Sequence, residues 1–362
     1  MSLLVKDDLR EAHELMGRVL RGGGSLAPEY PLIFEPGFPG RVVTISDGDR
    51  IVSACATLER ELVLGAERVT VGLIGSVATD ESYRRRGLGT KLLAAAERHL
   101  SQQGALCSIL WADSPAFYEM RGYRPVGWEL DYVLSRDLLA GLPDRHGVDG
   151  HTVDELQPAD AEATHALYLQ HPLRTERTLD EHRRLMACPG MRTLVLRRAS
   201  EVVAYACVGR GADFAGTLHE WAGTPDNVLA LARCFLSEEP ERLCLISPPG
   251  CAGLRAALGA RGVTPMDGVL GIGKLLDRQA AVRLLQSKVT RGAIEVVNKA
   301  PLRPQVVARG SVGDQPLLDE DLLDLLFPAR GAGYTEQAFG AATGICFNGV
   351  ARHPFLWGLD SV

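Results

Sequence analysis

The chain has 362 residues, 46% hydrophobic and 23% charged, with a formal net charge of −6. That length suits two or three globular domains, and the composition excludes a disordered or collagen-like chain. The acidic balance argues against a general nucleic-acid binder, and no apolar run approaches the roughly 20 residues that span a bilayer.

Residues 3–20 predict an amphipathic helix with Leu9, His13, Met16 and Leu20 near one face, acidic in its first turns and unlike a signal peptide. Residues 22–40 read as a loop-rich stretch carrying four prolines and the aromatics Tyr30, Phe34 and Phe38. Two strands, 41–46 and 51–58, flank the turn Asp47-Gly48-Asp49-Arg50. Eight cysteines are scattered singly, with no C-x-x-C pair and no Cys/His cluster. That pattern predicts reduced core thiols in a cytoplasmic protein and no metal.

The most informative stretch runs from Leu73 to Tyr123. Val71 to Val77 is an apolar run of strand length. After the polar turn Thr79 to Tyr83, Arg84-Arg85-Arg86-Gly87-Leu88-Gly89-Thr90 leads into a helix. Leu88, Leu92, Leu93, Ala96 and Leu100 recur at helical spacing, and Gly104 stops the pattern. A second strand, Leu106 to Trp111, and a short helix with Phe117 and Tyr118 follow. The first turn of such a helix leaves backbone N–H groups without intrahelical partners, at the positive end of its dipole. Gly87 and Gly89 let a phosphate approach that backbone, Thr90 adds a hydroxyl, and the three arginines add charge-assisted donors. A lone G-x-G is weak evidence; the flanking strands and arginines strengthen it.

R84-x-x-G87-x-G89, preceded by Val77-Ala78-Thr79, resembles the acetyl-CoA signature of the GNAT N-acetyltransferase superfamily. The later Phe117-Tyr118-Glu119-Met120-Arg121-Gly122-Tyr123 resembles that family's second signature. The resemblance implies that Val77, Ala78 and Thr79 pair through their backbone with the pantetheine arm. It implies that Arg84, Arg85, Arg86, Gly87, Leu88, Gly89 and Thr90 wrap the pyrophosphate. Ser114 and Phe117 would lie beside the cofactor near its thioester end.

Beyond residue 135 the pattern changes, and 135–150 reads as a linker. A second unit from His151 faintly repeats the first. Glu201 to Cys207 echoes Arg50 to Ala56, Gly216 to Ala222 echoes the motif strand, Asp226 to Leu236 is helical, and Leu243 to Ser247 is the next strand. In place of the phosphate turn stands Gly223-Thr224-Pro225-Asp226-Asn227, without arginine and with a repelling carboxylate. The copy is therefore expected to be degenerate and not to bind CoA. Residues 267–278 read as a closing strand and turn. The remainder has a helix at 279–287, strands at 293–297 and 305–308, an acidic-apolar helix near 318–326, and the apolar end RHPFLWGLDSV, which should be buried.

The expected architecture is thus α/β (α+β): mixed-sheet GNAT-like units at 1–135 (catalytic) and 151–278 (degenerate), and a small α+β unit at 279–362. This layout resembles the Eis-type acetyltransferases, which modify amines. The last unit would then be a shortened counterpart of that family's sterol-carrier-like unit, and a homo-oligomer stays open.

The chemistry implied is transfer of an acetyl group from acetyl-CoA to a neutral amine by direct attack in a ternary complex. The acceptor would be a small molecule or a lysine side chain. Tyr118 occupies the family's general-acid position and would protonate the departing sulfur. The motif strand contains no acid to serve as base. The Eis resemblance points instead to the chain's terminal carboxylate, here on Val362. Glu35, Asp80 and Glu220 are weaker candidates, and His99 reads as structural. A non-catalytic acyl-CoA-binding regulatory or scaffold protein is the alternative, as is a different acyl donor.

Overall fold

The computed structural model describes residues 2–6, 10–37, 39–142, 150–238, 241–297, 305–329, 334–348 and 354–362. The chain begins with strand β1 (Ser2–Lys6), helix α1 (Arg10–Leu20), the single turn α2 (Pro31–Phe34) and strands β2 (Arg41–Asp47), β3 (Arg50–Leu64) and β4 (Glu67–Thr79). Helix α3 (Leu88–Gln102), β5 (Cys107–Leu110), the turn α4 (Ala116–Glu119), β6 (Arg124–Val126) and β7 (Glu129–Ser135) follow. The helix expected over 3–20 is therefore divided: residues 2–6 pair antiparallel with β2, and the helix starts at Arg10. The local apolar run Leu3-Leu4-Val5 fits either state, and the β2 edge decides it.

The second unit contains β8 (His151–Glu155), α5 (Ala161–Tyr168), β9 (Leu173–Thr175), α6 (Leu179–Met186), β10 (Arg192–Arg198), β11 (Glu201–Arg210), β12 (Asp213–Ala222), α7 (Pro225–Glu238), β13 (Arg242–Ser247), β14 (Met266–Gly268) and β15 (Gly271–Leu275). It repeats the succession of the first: a meander, a helix, then a strand parallel to the last of the meander. The protein is a tandem of mixed α/β units. The first sheet has the order β1-β2-β3-β4-β5-β15-β6, with β9 on β3; the second is β14-β7-β13-β12-β11-β10-β8. Thus β7, early in the chain, hydrogen-bonds in the second sheet. Conversely β15, read from sequence as the close of the second unit, lies between β5 and β6 of the first.

Leu88, Leu92, Leu93, Ala96 and Leu100 are all buried against the first sheet, as their spacing predicted. Gly72 of β4 makes room for this packing, since a Cβ there would lie 2.6 Å from Leu100. The last unit is built from a three-stranded meander (Ala293–Val297, Gln305–Gly310, Gly313–Leu317) and helices at Arg278–Gln286, Asp319–Leu326 and Tyr334–Thr343. The terminal segment returns to the two large sheets. Phe355, Leu356, Trp357 and Leu359 are buried, with Trp357 packed at right angles on Trp221, ring centroids 5.2 Å apart.

Candidate active site

The site opens where two parallel strands part. β4 and β5 pair only at Gly72 with Ser108 and Leu73 with Ile109, yet β4 continues to Thr79. Against β3 the register slips between Ala54 and Ala56, opposite Ala78 and Gly75, so Ser76 and Val77 form a bulge. Ser76 takes a left-handed backbone (φ 51°), uncommon for a residue with a side chain and typical of strained functional positions.

The resulting cavity has a volume of about 770 Å3. It is lined by Gly75, Ser76, Val77 and Thr79 from β4 and by Arg84, Arg85, Gly87, Leu88, Gly89 and Thr90 from the turn. Ser114, Phe117, Tyr118 and Arg121 close the far side, and Val362 reaches in from the tail. Ala78 faces away and is fully buried. Arg86 also stands outside this lining; its guanidinium packs over the Tyr83 ring at 4.7 Å and donates to the Ser82 carbonyl.

Gly87 caps α3 with a left-handed backbone (φ 75°) and offers no side chain to the first-turn N–H groups. Those donors stay available to an anion, as the turn chemistry anticipates. Gly89 has a second reason for its identity: a Cβ there would stand 3.2 Å from the Phe117 ring. The exposed Glu81 stands 3.6 Å from Arg84.

Arg121 escaped the sequence reading because it occupies a variable place in the second signature. Its guanidinium stacks on Phe117 at 3.7 Å and donates to the Thr90 hydroxyl at 2.6 Å, adding positive charge beside the turn. Tyr118 lies edge-on between Phe117 and Tyr123. Burial, followed by the neighbouring Cys55, pushes its phenol above the usual range, so the hydroxyl keeps its proton at neutral pH.

Val362 presses its backbone against Gly75: a Cβ on that glycine would sit 2.4 Å from the Val362 carbonyl carbon and 2.5 Å from its oxygen. The tail is anchored by a buried ionic cluster. Arg177 donates two bonds of 2.8 Å to Glu220 and a third of 2.8 Å to Asp360. Asp360 also accepts from Tyr168 at 3.0 Å, and Arg60 stands 3.7 Å away while donating to Glu181 at 2.7 Å. Burial alone would raise the Asp360 carboxyl, but Arg177 outweighs it and holds that carboxyl below its usual range. Arg210 donates to the carbonyls of Gly358 (2.8 Å) and Ser361 (3.2 Å).

The weaker base candidates are placed elsewhere. Glu220 is fully buried and bound bidentately by Arg177. Glu35 faces Arg184 at 3.3 Å, and Asp80 caps the turn after β4, where it accepts from Ser82 and Arg50. His99 stands 3.5 Å from Glu59 on α3, outside the cavity. Among the described residues no group of three or more His, Cys, Asp or Glu side chains forms a metal cage, and no helix is long and apolar enough to cross a membrane.

A comparison with family models points to the same part of the chain. Residues 3–126 match the family model described as "Acetyltransferase (GNAT) domain". Over those residues the chain is similar to GNAT acetyltransferase domains. Solved GNAT structures superpose over far more than that stretch. A GCN5-related N-acetyltransferase from Anabaena variabilis matches with a TM-score of 0.67 at 12% identity, covering 100% of both chains. One from Kribbella flavida gives 0.63 at 15%, also covering 100% of both. Eis1 from Mycobacterium abscessus gives 0.57 at 18%, over 88% of this chain and 85% of that one. At such identities the likeness is one of fold, and it extends over most or all of the chain. No curated protein matches it in sequence.

The second unit differs at the equivalent place. Its β12 and β13 part in the same way, pairing only at Thr217 with Cys244 and Leu218 with Leu245. There Trp221 of β12 donates from its indole nitrogen to the Ile246 carbonyl of β13 at 3.0 Å, and Trp357 packs on it. Helix α7 begins with Pro225 and Asp226, which remove a donor and add a negative charge where the first copy has its phosphate turn.

Proposed function

We propose that the protein is an acetyl-CoA-dependent N-acetyltransferase acting through a ternary complex. The observation that carries this reading is the convergence, on one cavity, of the anion-receptive first turn of α3, the Tyr118 hydroxyl and the Val362 carboxyl group. The turn, with Arg84, Arg85 and Arg121, would hold the pyrophosphate. The unpaired edge of β4 from Val77 to Thr79 would bind the pantetheine amides as a further strand does.

Carboxylate and phenol have complementary tasks. An ammonium has no lone pair, so the Val362 carboxylate takes a proton from the incoming amine. The amine nitrogen then attacks the thioester carbonyl carbon, giving a tetrahedral intermediate. On collapse the carbon–sulfur bond breaks, Tyr118 gives its proton to the thiolate, and the former amine nitrogen releases its second proton to solvent water. The products are an amide and CoA thiol, and solvent exchange returns both groups to their starting states. Positioning supplies much of the rate, because bringing amine and thioester together removes a large entropic barrier. The eight cysteines, none in a disulfide, suit a reducing cytoplasm.

The test is calorimetric titration of acetyl-CoA, paired with a Gly87→Glu variant and a CoA-thiol assay over a panel of amines. Binding that Gly87→Glu abolishes, with amine-dependent thiol release, supports the reading. Binding without thiol release from any amine favours a non-catalytic acyl-CoA-binding protein.

A further inference from the structure

A second cavity, of about 450 Å3, meets the first at Ser76, Trp111 and Val362. Its size falls in the ~300–1,000 Å3 range of small-molecule sites. Its walls come from both halves of the tandem: Arg21, Leu26 and Tyr30 from the first, and the β11–β12 hairpin with Asp213 and Phe214 from the second. The geometry points to this cavity as the acceptor site, selective for a primary amine carried on a single apolar or aromatic body rather than for a polycation. The inference rests on the acetyltransferase reading above and adds the substrate class.

Two observations carry it. The first is the state of the charged wall. Asp213 is the one side-chain carboxylate in the described lining, and it is already engaged: its Oδ2 accepts from Arg21 at 2.8 Å and from the Tyr30 hydroxyl at 2.5 Å. Arg21 in turn holds Glu29 at 3.0 Å behind the wall. Within this cavity a second ammonium on the acceptor would find no free carboxylate side chain and would face the Arg21 guanidinium. The Val362 carboxyl group remains, at the junction where the reacting nitrogen must stand.

The second observation is the aromatic surface. Trp111 is 37% exposed, among the few large apolar side chains left open to solvent, and it stands at the mouth between the cavities. Phe214, in the same lining, adopts a left-handed backbone (φ 56°), which is strained for a residue with a side chain. Its ring lies 4.6 Å from that of His219, which is buried and donates to the Gly209 carbonyl at 2.9 Å. The hairpin is pinned at its turn, because Gly211 approaches Glu29 so closely that a Cβ would lie 2.3 Å from its carboxyl carbon. The strained backbone therefore presents a rigidly supported aromatic ring to the cavity, an arrangement suited to gripping a flat apolar body.

The experiment compares 2-phenylethylamine, ethylamine and spermidine as acceptors for the full-length protein, following CoA-thiol release at saturating acetyl-CoA. The expected kcat/KM for 2-phenylethylamine exceeds that for spermidine by tenfold or more. Phe214→Ala should cut the preference for 2-phenylethylamine over ethylamine about tenfold, the size of one lost apolar contact. Should that variant fold poorly, Phe214→Gly, which suits the left-handed backbone, is read in the same way. Acetyl-CoA affinity, measured by calorimetry, separates the two levels of the argument. If acetyl-CoA binds and spermidine is the better acceptor, or if the variants leave the preference unchanged, the substrate class is wrong. If acetyl-CoA does not bind, or no amine releases thiol, the acetyltransferase reading falls and this inference with it.

Discussion

Gly75→Ala is the sharpest probe of the terminal carboxylate. Gly75 lies in β4 outside the left-handed region, so alanine brings no backbone strain. Its Cβ would stand 2.4 Å from the Val362 carboxyl carbon, where ordinary contact begins at 3.4 Å. The carboxyl group must therefore retreat by about 1 Å. A chain end can do so cheaply, since the anchors at Asp360 and Arg210 lie upstream; the expected loss of stability is about 1 kcal/mol or less. Catalysis is less tolerant, because a misplacement of about 1 Å in a reacting group costs on the order of 10²-fold, about 2.7 kcal/mol of barrier. The assay is kcat for CoA-thiol release at saturating acetyl-CoA, with calorimetric affinity as control. Deletion of Val362 completes a double-mutant cycle. If alanine acts through Val362, it adds little to the deletion. A kcat within threefold of wild type with affinity intact, or full additivity in the cycle, would refute the role given to the carboxylate.

Arg177→Met should strand Glu220 and Asp360 as unpaired buried carboxylates and cost roughly 3–5 kcal/mol, read by urea denaturation; a variant as stable as wild type would overturn the view that this cluster anchors the tail. Tyr118→Phe should lower kcat by about 10²-fold or more without weakening acetyl-CoA binding, and because the phenol titrates above its usual range, the wild-type rate should not lose its acid on the alkaline side before pH 10. Burial, with Asp131 adding repulsion, pushes the Glu129 carboxyl up to about 8. The folded protein then holds a proton that the unfolded chain releases above pH 4.5, so stability should fall as pH rises from about 4.5 to 8; thermal melts of Glu129→Gln should show a flatter profile over that window.

How far the sequence could be read depended on whether the signal was local. The strand, turn and helix from Val71 to Leu100 were legible because period, glycine and charge all lie within one supersecondary unit. The burial of the tail was legible from Phe355, Leu356, Trp357 and Leu359 alone. The strand exchange was not. The alternation in Glu129 to Ser135 declares a strand but not which sheet receives it, and the pairings of β7 with β13 and β15 with β5 join residues more than a hundred positions apart. Arg60 illustrates the same limit. It is a buried charge in β3, and its partner Glu181 lies 121 residues on in the chain. Arg121 had no local signal either: its partner Thr90 is fixed only by the packing of α4 on α3.

The second copy lacks the phosphate turn yet keeps its fold, and the contacts of the tail suggest why. The tail lies along β12, with Gly358 so close to His219 that a Cβ would stand 2.3 Å from its ring, then crosses to Gly75 of β4. It therefore joins the central strands of both copies at the points where each parts from its parallel neighbour. Arg177, Arg210 and Glu220, all from the second copy, set the position of the tail, and Phe214 of the same copy walls the second cavity. Arg60 of the first copy reaches the same ionic cluster. The cleft of the second copy is filled by side chains such as Trp221 and Trp357. With Arg177 and Arg210 it forms the platform on which residues 358–361 rest. On this argument the loss of the phosphate turn and the burial of the tail are two parts of one arrangement, because a nucleotide in the second cleft would displace the anchor on which the first cleft depends.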